Sequence, residues 1–395
     1  MDYLSDDSKS NDILKIIANV ARRSLGTDVS FVGMFEDGNR LIKAVSKNLS
    51  SDSAISENDS AEANNTYCYN ITNGSLPNFI EDTKSNEITK NLSVTKDLNI
   101  GSYIGLPITS STGHVYGTLC CFNNRPLSIS KNYDHKVLES LAHTAGLLLD
   151  LSKETQNTIS SNRIRIESTL INNAINIHFQ PIYDVEKDRV VGYECLSRFD
   201  NPSEIPTYEW FKQARECKLD TELELAAFLK AISFLNLFPS NQYLSINLSP
   251  NSIYNKQSMA IITGFDLSRI VIEITEHERV KSYDAFKLAL LDLRKKGAKI
   301  AIDDAGAGYA SLKHILEIDA DKIKLDISLI RDIDSDKKRR ALARALIAFA
   351  NEIGTEVLAE GVETKDEMMT LVGMGVSYVQ GYYIGRPVKF ESIFK

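Results

Sequence analysis

The sequence predicts an α/β protein in which a smaller α+β domain precedes a (β/α) barrel. After Ile175, short apolar runs rich in β-branched residues alternate with stretches of helical periodicity, and this alternation is typical of a parallel sheet covered by helices. About eight strand candidates fall within roughly 220 residues, which fits a closed barrel better than an open sheet. The pattern alone also allows an open doubly wound sheet.

The predicted barrel strands are short, and most of the helices between them are longer. The strand candidates are Ile177–Ile182, Val190–Cys195, Tyr243–Leu248, Ile270–Ile274, Lys299–Ile302, Lys322–Leu325, Val357–Ala359 and Tyr378–Val379. The helix candidates are Tyr208–Lys218, Glu222–Leu237, Tyr283–Lys296, Lys337–Ile353 and Lys365–Gly373. We therefore expect the barrel domain to occupy residues 174–395.

Residues 1–151 show a different pattern, in which two amphipathic helices enclose a group of strands. Asp12–Leu25 and His135–Leu151 each carry one apolar stripe at helical spacing, so both are expected to pack on a sheet. The strand candidates are Val29–Phe35, Leu41–Val45, Tyr103–Ile108 and Val115–Phe122. Residues 50–65 are rich in polar residues and predict a long loop.

Residues 152–173 join the two predicted domains. This segment is polar but is punctuated by Ile159, Ile164, Ile166, Leu170 and Ile171, which favours a helix that continues from the first domain. A helix shared by two domains could transmit a packing change between them. A plain linker is the alternative.

The composition excludes several classes of function. The chain has 395 residues, a net charge of −8 and a pI near 5.4, which argues against a large nucleic-acid surface but not against a small phosphate ligand. No apolar run is long enough to span a bilayer. The first residues are acidic and polar, unlike a secretory signal. We expect a cytoplasmic protein without nucleic-acid or membrane partners.

The cysteines predict reduced thiols. The five are Cys68, Cys120, Cys121, Cys195 and Cys217. An odd count without paired spacing indicates a reducing compartment rather than a disulfide framework. The adjacent Cys120 and Cys121 could form a redox pair, although two small core residues in an apolar strand are the favoured interpretation.

Polar side chains that can carry chemistry end several of the apolar strands. These strand-end residues are Glu194, Asn247, Glu273, Asp303, Asp304 and Glu360. The carboxyl ends of parallel strands meet at one face of a barrel, and carboxylates gathered there repel one another unless cations neutralise them. A single strand-end acid is often a solvated turn residue, but that interpretation does not explain the whole set.

These donors predict a site for hard divalent cations. Oxygen ligands favour Mg²⁺ or Mn²⁺, and the absence of His from these strand ends disfavours zinc. Two ions would suit phosphodiester hydrolysis, in which one ion activates water and both hold the phosphate oxygens.

Residues from about Arg163 to Lys395 resemble the EAL domain family. Glu194-Cys195-Leu196-Ser197-Arg198 is similar to the signature that names the family. The other matching motifs, in the family's order, are Gln180-Pro181-Ile182, Asn247-Leu248-Ser249-Pro250, Glu273-Ile274-Thr275-Glu276, Asp303-Asp304-Ala305-Gly306-Ala307-Gly308, Lys322-Ile323-Lys324-Leu325-Asp326, Ala359-Glu360-Gly361-Val362-Glu363 and Gln380-Gly381-Tyr382-Tyr383. The resemblance implies a modified TIM (β/α)8 barrel that linearises cyclic di-GMP to pGpG.

The resemblance also implies the metal ligands. The first ion would be held by Glu194, Asn247, Glu273 and Asp303. Asp303 and Asp304 would serve the second, with Glu360 as a further ligand or as the base that orients water.

The remaining roles follow from the same resemblance. Lys324 would position or polarise the attacking water, and Gln380 would orient that water or a metal ligand. Arg198 would bind a phosphate or a guanine edge, and Gln180 would add a substrate contact. Glu276 would steady the loop that follows Asp304.

Two departures from the family pattern bear on regulation. Cys195 replaces the central Ala of the naming motif, and a buried inert thiol is the favoured interpretation there. Ala305 and Ala307 stand where the family usually has Phe and Thr, while Gly306 and Gly308 are retained. In the family that loop couples dimerisation to the metal site, so the resemblance implies that Ala305 and Ala307 affect turnover rate and regulation more than the chemistry. A homodimer is expected.

The first domain resembles a GAF domain, a small-ligand sensory module. The matching segments are Tyr67-Cys68, Phe79-Ile80-Glu81-Asp82, Gly105-Leu106-Pro107 and Gly117-Thr118-Leu119-Cys120. No Cys-His pair is present, so a bilin photoreceptor is disfavoured. A small-molecule ligand and a ligand-free dimerisation domain are both left open.

The motif resemblances leave two hypotheses for the function. One is a metal-dependent cyclic di-GMP phosphodiesterase regulated by the first domain. The other is a weak or inactive receptor for cyclic di-GMP that signals through a partner. A sugar-processing barrel would leave the Asp-Asp pair, the Asn and the Lys unexplained, and the lack of a GGDEF motif argues against a cyclase.

Overall fold

The chain forms two compact units, Met1–Thr158 and Ile159–Lys395. The computed structural model describes residues 6–49, 51, 53–127, 134–200, 204–274, 280, 282–305 and 309–394. Among these residues, no helix combines the length and the apolar character that a bilayer span requires.

The first unit is built on a six-stranded antiparallel sheet with the order β3-β2-β1-β6-β5-β4. Its strands are β1 Val29–Glu36, β2 Asn39–Lys47, β3 Ser60–Glu62, β4 Phe79–Ile80, β5 Ser102–Thr109 and β6 Val115–Asn123. Its helices are α1 Asp6–Leu25, α2 Tyr67–Thr72, α3 Ser93–Asp97 and the first part of α4 Asp134–Ile171. The four predicted strands are confirmed, and β3 lies inside the segment predicted to be a loop. β3 has only three residues, Ser-Ala-Glu, and pairs only with β2 at the edge of the sheet, so it is too short to give a strand pattern in the sequence.

The sheet of the first unit buries side chains on both faces. Successive residues of a strand face opposite sides, and β6 shows this directly. Cys120 packs with Tyr67, Tyr103 and Phe122, whereas Cys121 packs in a separate cluster that contains Leu14 of α1. The two adjacent cysteines therefore do not face each other.

One helix, α4, contains both the second amphipathic helix of the first unit and the segment predicted to join the units. It has 38 residues. After its end, Asn173 adopts a φ of 49°. This left-handed conformation is common just past a helix C-terminus, and Asn tolerates it better than most residues.

The second unit is an eight-stranded barrel, which confirms the predicted α/β fold. The strands follow one another in chain order from β7 to β14, and β14 pairs with β7 to close the barrel. They are β7 Ile175–Asp184, β8 Arg189–Phe199, β9 Tyr243–Leu248, β10 Ile270–Ile274, β11 Lys299–Ala305, β12 Lys322–Leu325, β13 Glu356–Ala359 and β14 Tyr378–Val379. A short strand, β15 Val388–Lys389, pairs with the same edge of β7 as β14, opposite β8.

Helices connect most of the barrel strands. They are α5 Thr207–Glu216, α6 Asp220–Ile232, α7 Pro250–Tyr254, α8 Lys256–Ile262, α9 Tyr283–Lys295, α10 Tyr309–Glu317, α11 Ile327–Ile330, α12 Lys337–Glu352 and α13 Lys365–Val372. Several begin at a side-chain cap. Thr364, for example, forms a capping box with Glu367 at the start of α13, which satisfies two backbone N–H groups at the helix start.

The first barrel strand is antiparallel to both of its barrel neighbours. β7 runs against β8 and against β14, while the pairs from β8 to β14 are parallel. Only residues 185–188 separate β7 from β8, and a parallel pair would need a crossover of a dozen or more residues. Because of this short connection, β7 is antiparallel, and the barrel differs in this respect from a TIM barrel, whose eight strands are all parallel.

Alternation along the strands separates the apolar core from the polar interior of the barrel. In β10, Ile270, Ile272 and Ile274 belong to the main hydrophobic core cluster. Glu273, between two of them, instead contacts Lys324 of β12. The period of two therefore directs single polar residues of apolar strands into the barrel.

Candidate active site

Four of the six strand-end residues predicted from the sequence line one cavity of about 390 Å³, and Asn247 and Glu273 contact this group through Glu194 and Lys324. The cavity lies in the second unit and its lining includes Gln180, Glu194, Asp303, Asp304, Lys324, Glu360 and Gln380. Strand pairing explains the gathering. Glu194 of β8 is level with Ser245 of β9, and Asn247 of β9 is level with Glu273 of β10.

Lys324 is the centre of the site. Its side chain is 1% exposed, and its Nζ lies 2.7 Å from Glu273 Oε2, 2.8 Å from Asp303 Oδ1 and 2.7 Å from Glu360 Oε1. Glu194 Oε1 lies farther away, at 3.7 Å. The three N–H groups of Lys324 thus face three nearby carboxylates, with the carboxylate of Glu194 farther away. The four carboxylates come from four different strands or strand ends.

Four carboxylates surround the single ammonium group of Lys324, and their excess negative charge is reflected in shifted pKa values. Burial opposes the charged form of Lys324, but Asp303, Glu194, Glu273 and Glu360 together raise its pKa well above the usual value. Burial raises the pKa of Glu273 to about 8, although Lys324 acts in the opposite direction. Burial likewise raises the pKa of Glu360 well above its ordinary value. Burial without a further cation therefore favours the protonated forms of Glu273 and Glu360.

Amide side chains form a second layer of contacts around Glu194. Gln380 Nε2 donates to Glu194 Oε2 at 2.5 Å and to Gln180 Oε1 at 3.1 Å. Asn247 Nδ2 donates to Glu194 Oε1 at 3.3 Å. Gln180 reaches this group because it is paired across the antiparallel strands with Glu194 itself.

The donors present fit a divalent metal centre. Asp303, Asp304 and Glu360 offer carboxylate oxygens that all lie within 4.8 Å of one another. Asn247 Oδ1 and Gln380 Oε1 are buried oxygens that accept no hydrogen bond from the described part of the chain. Since an unsatisfied buried acceptor is costly, these oxygens are suited to a cation, and an all-oxygen donor set favours Mg²⁺ or Mn²⁺ over zinc.

Asp304 has an unusual backbone. Its φ is 53°, a left-handed conformation that only a few per cent of residues other than glycine adopt and that Asp tolerates better than most. Strained backbone conformations occur preferentially at functional sites. Here the register of β11 against β12 shifts between Ile302 and Ala305, and this irregularity brings the neighbouring carboxylates of Asp303 and Asp304 to the same cluster.

Arg198 lies beside the carboxylate cluster in a second cavity of about 400 Å³. Asn247 and Asp304 also line this cavity, together with mostly apolar side chains such as Leu196 and Phe211. Arg198 Nη1 donates to the carbonyl oxygen of Ser197 at 2.7 Å. Asp304 borders both cavities, so a ligand in the second cavity would reach the carboxylates.

Sequence reasoning missed Ser245, which contacts a predicted ligand. Ser245 is buried, and its hydroxyl donates to Glu273 Oε1 at 2.6 Å. The period of two along β9 could have identified it, because Ser245 and the predicted ligand Asn247 must share a face.

Other predictions concern residues at the edge of the site. Cys195 is 6% exposed and packs in the hydrophobic core, and burial raises the pKa of its thiol well above the usual value, which fits an inert cysteine. Ala305 is buried at the end of β11. Glu276, Gly306, Ala307 and Gly308 lie outside the described residues.

Comparison with known families accounts for both units. The family model for the EAL domain matches residues 163–387, and the model for a GAF domain matches residues 8–150. The resemblances stated from the sequence are thereby confirmed.

Individual relatives share less than 30% sequence identity with this chain and are longer than it. An uncharacterized signaling protein of Caulobacter vibrioides is 27% identical over 75% of this chain and 37% of its own length. A cyclic di-GMP phosphodiesterase of Pseudomonas aeruginosa is 29% identical over 54% of this chain and 38% of its own length. The chain therefore spans less than half the length of these two curated relatives.

A solved structure shares the barrel. The FimX EAL domain of Xanthomonas citri, in complex with c-diGMP, superposes with a TM-score of 0.54 and 20% identity. The superposition covers 60% of this chain and 97% of that one. At this identity, the likeness establishes the fold of the second unit.

Proposed function

Because the chain belongs to the EAL domain family, we propose that it hydrolyses cyclic di-GMP to linear pGpG with the help of two divalent cations. The observation that carries this proposal is the position of Lys324, held among Glu273, Asp303 and Glu360 at the strand ends. The relative from Pseudomonas aeruginosa is itself a cyclic di-GMP phosphodiesterase. The receptor alternative has no such support, since every predicted ligand among the described residues is present and gathered.

The cations would occupy two overlapping sets of donors. Glu194, Asn247, Glu273 and Asp303 would hold the first, and Asp303, Asp304 and Glu360 the second. When bound, such a pair lowers the pKa of water and stabilises negative charge on a phosphate. The buried acceptor oxygen of Asn247 and the close carboxylates of the second set support this assignment.

The protein's own groups would orient the reaction. Lys324 Nζ holds three carboxylates in place and would donate toward the attacking water and toward charge that develops on the phosphate. Glu360 would accept a proton from that water, and Gln380 would fix Glu194 through the hydrogen bond between them. Attack of the water oxygen on phosphorus would break one of the two phosphodiester bonds and leave a linear dinucleotide.

The larger part of the substrate would lie in the cavity that contains Arg198. Its apolar lining suits a flat base, and the planar guanidinium of Arg198 can donate two parallel hydrogen bonds to a phosphate or a guanine edge. Gln180 would contact the substrate from the other side of Glu194. The first unit would act as a regulatory domain, as the match to a GAF domain suggests.

A hydrolysis assay with the purified full chain tests this proposal. We expect linear pGpG to accumulate when Mg²⁺ or Mn²⁺ is present and to stop forming when a chelator is added. Binding of cyclic di-GMP is measured in parallel by calorimetry. Saturable binding with no product under any metal condition would contradict the proposal and establish the receptor instead.

Calcium should inhibit the reaction. Ca²⁺ also prefers oxygen ligands, but it is larger than Mg²⁺ and accepts irregular coordination, so it should occupy the site without aligning water and phosphate. We expect Ca²⁺ to lower the rate in the presence of a fixed concentration of Mg²⁺, and excess Mg²⁺ to restore it. Equal rates with Ca²⁺ and Mg²⁺ as sole cation would contradict the proposed metal chemistry.

A further inference from the structure

We propose that Cys68 and Cys120 of the first unit form a redox-reactive pair that hydrogen peroxide converts to a disulfide. The two Sγ atoms lie 3.8 Å apart although the residues are 52 positions apart in the sequence. Cys68 belongs to α2 and Cys120 to β6, and both are buried in the same hydrophobic cluster. The proposal concerns the first unit alone and does not depend on hydrolysis by the barrel.

A second thiol distinguishes Cys120 from its neighbour on β6. Cys120 Sγ lies 3.1 Å from Thr118 Oγ1, and Cys68 Sγ lies 3.7 Å from Tyr103 Oη. Cys121, on the next position of β6, packs in the separate cluster that contains Leu14 of α1, and burial raises the pKa of its thiol to about 11. The two neighbouring cysteines of one strand thus face different clusters, and of the two it is Cys120 that lies next to Cys68.

A buried arginine supplies positive charge beside Cys68. Arg40 is 7% exposed, and its Nε donates no hydrogen bond to any of the described residues. Both side chains lie close to Gly33, because a Cβ at Gly33 would lie 2.8 Å from Arg40 Cδ and 3.5 Å from Cys68 Sγ. A buried cation needs an anion nearby, and the thiolate of Cys68 can provide it.

The groups around Cys68 favour its thiolate, which is the reactive form of a cysteine. The contact with Cys120 and, to a smaller extent, the charge of Arg40 lower the pKa of Cys68 to about 6 against the opposing effect of burial. Burial raises the pKa of Cys120 well above its usual value. Since the thiolate is the nucleophile in thiol oxidation, Cys68 is the residue that reacts first and Cys120 the one that resolves the product.

A very small cavity lies against the sulfur of Cys68. It has a volume of about 10 Å³ and is lined by Arg40, Tyr67, Cys68 and Tyr103 among others. That is about the space that one water molecule needs, so it excludes glutathione disulfide and leaves hydrogen peroxide as the class of oxidant proposed. In the first step, the Cys68 thiolate attacks one peroxide oxygen, the O–O bond breaks, and the departing hydroxide takes up the proton that the thiol released and leaves as water, which yields a sulfenic acid. In the second step, Cys120 Sγ attacks Cys68 Sγ, the S–O bond breaks and a second water leaves.

Peptide mapping of the full chain tests the proposal. The reduced protein is treated with hydrogen peroxide, free thiols are alkylated, and the digest is analysed by mass spectrometry. We expect the peptide that contains Cys68 to be linked to the peptide that contains Cys120 and Cys121. Cys121→Ser should retain this link, and Cys120→Ser should lose it and accumulate oxidised or alkylated Cys68.

The wild-type map alone can overturn the proposal, so the test does not depend on a variant that folds. A wild-type digest in which Cys68 and Cys120 remain alkylated after peroxide treatment would refute the pair. So would a Cys120–Cys121 link, or a link that survives in Cys120→Ser. Arg40→Met should slow the formation of the disulfide several-fold, and an unchanged rate would remove Arg40 from the account.

Discussion

Replacing Glu194 with Ala should lower the rate of cyclic di-GMP hydrolysis by at least about 100-fold. Groups that merely support a metal ligand cost about 10–100-fold in metal affinity or activity when they are replaced, and Glu194 is proposed as a ligand itself. The change also removes the acceptor of the hydrogen bonds from Gln380 and Asn247. The measurement is kcat at saturating Mg²⁺ or Mn²⁺.

Glu194→Gln is the matched variant for this prediction. It preserves the size of the side chain and removes only the charge, so it should fold like the wild type and lose activity to a similar extent. Thermal unfolding and circular dichroism verify the fold of both variants. Turnover near the wild-type rate in either folded variant would refute the metal role of Glu194.

Replacing Lys324 with Met should both stop hydrolysis and destabilise the metal-free protein. Removing one partner of a buried ion pair costs about 3–5 kcal/mol because the other charge is left unpaired, and Lys324 contacts three carboxylates. Without the lysine, the pKa values of Glu273 and Glu360 rise further above their unfolded values, because Lys324 is the group that lowers them. Stability is then retained at low pH and lost as the pH rises, so the loss should be larger at about pH 9 than at about pH 6.

Lys322→Met is the control, since Lys322 is the other buried lysine of the same strand. Lys322 Nζ pairs with Glu356 at 2.6 Å and lies over the ring of Tyr378, away from the proposed metal ligands. Mn²⁺ should recover stability in Lys324→Met more than in Lys322→Met, and only the latter should hydrolyse the substrate. Equal effects of Mn²⁺ on the two variants would contradict the proposed charge balance.

The strand ends explain how much of this site could be predicted from the sequence. Glu194, Glu273, Asp303 and Glu360 each end an apolar run, and parallel strands in a barrel bring such ends to one face. That argument needs no distances, so the order of residues along the chain is enough to identify the carboxylates. The EAL resemblance then supplied Lys324, Gln380 and Gln180, whose roles no periodicity could indicate.

Contacts that depend on which strands and helices lie next to one another were harder to predict from the sequence. The hydrogen bond from Gln380 to Gln180 requires β14 to close against an antiparallel β7, and the sequence pattern suggested only parallel strands. The short connection between β7 and β8 could have revealed the reversal. The contact between Cys68 and Cys120 joins a helix to a strand 52 positions away, and no local signal encodes it.

The measurement that tests the central claim most directly is anomalous X-ray scattering from crystals of the full chain soaked in Mn²⁺. We predict two manganese peaks at the barrel, both within coordination distance of Asp303. One should also contact Glu194, Asn247 and Glu273, and the other Asp304 and Glu360. Empty density at these oxygens in protein that hydrolyses cyclic di-GMP with Mn²⁺ in the same preparation would contradict the proposed metal centre.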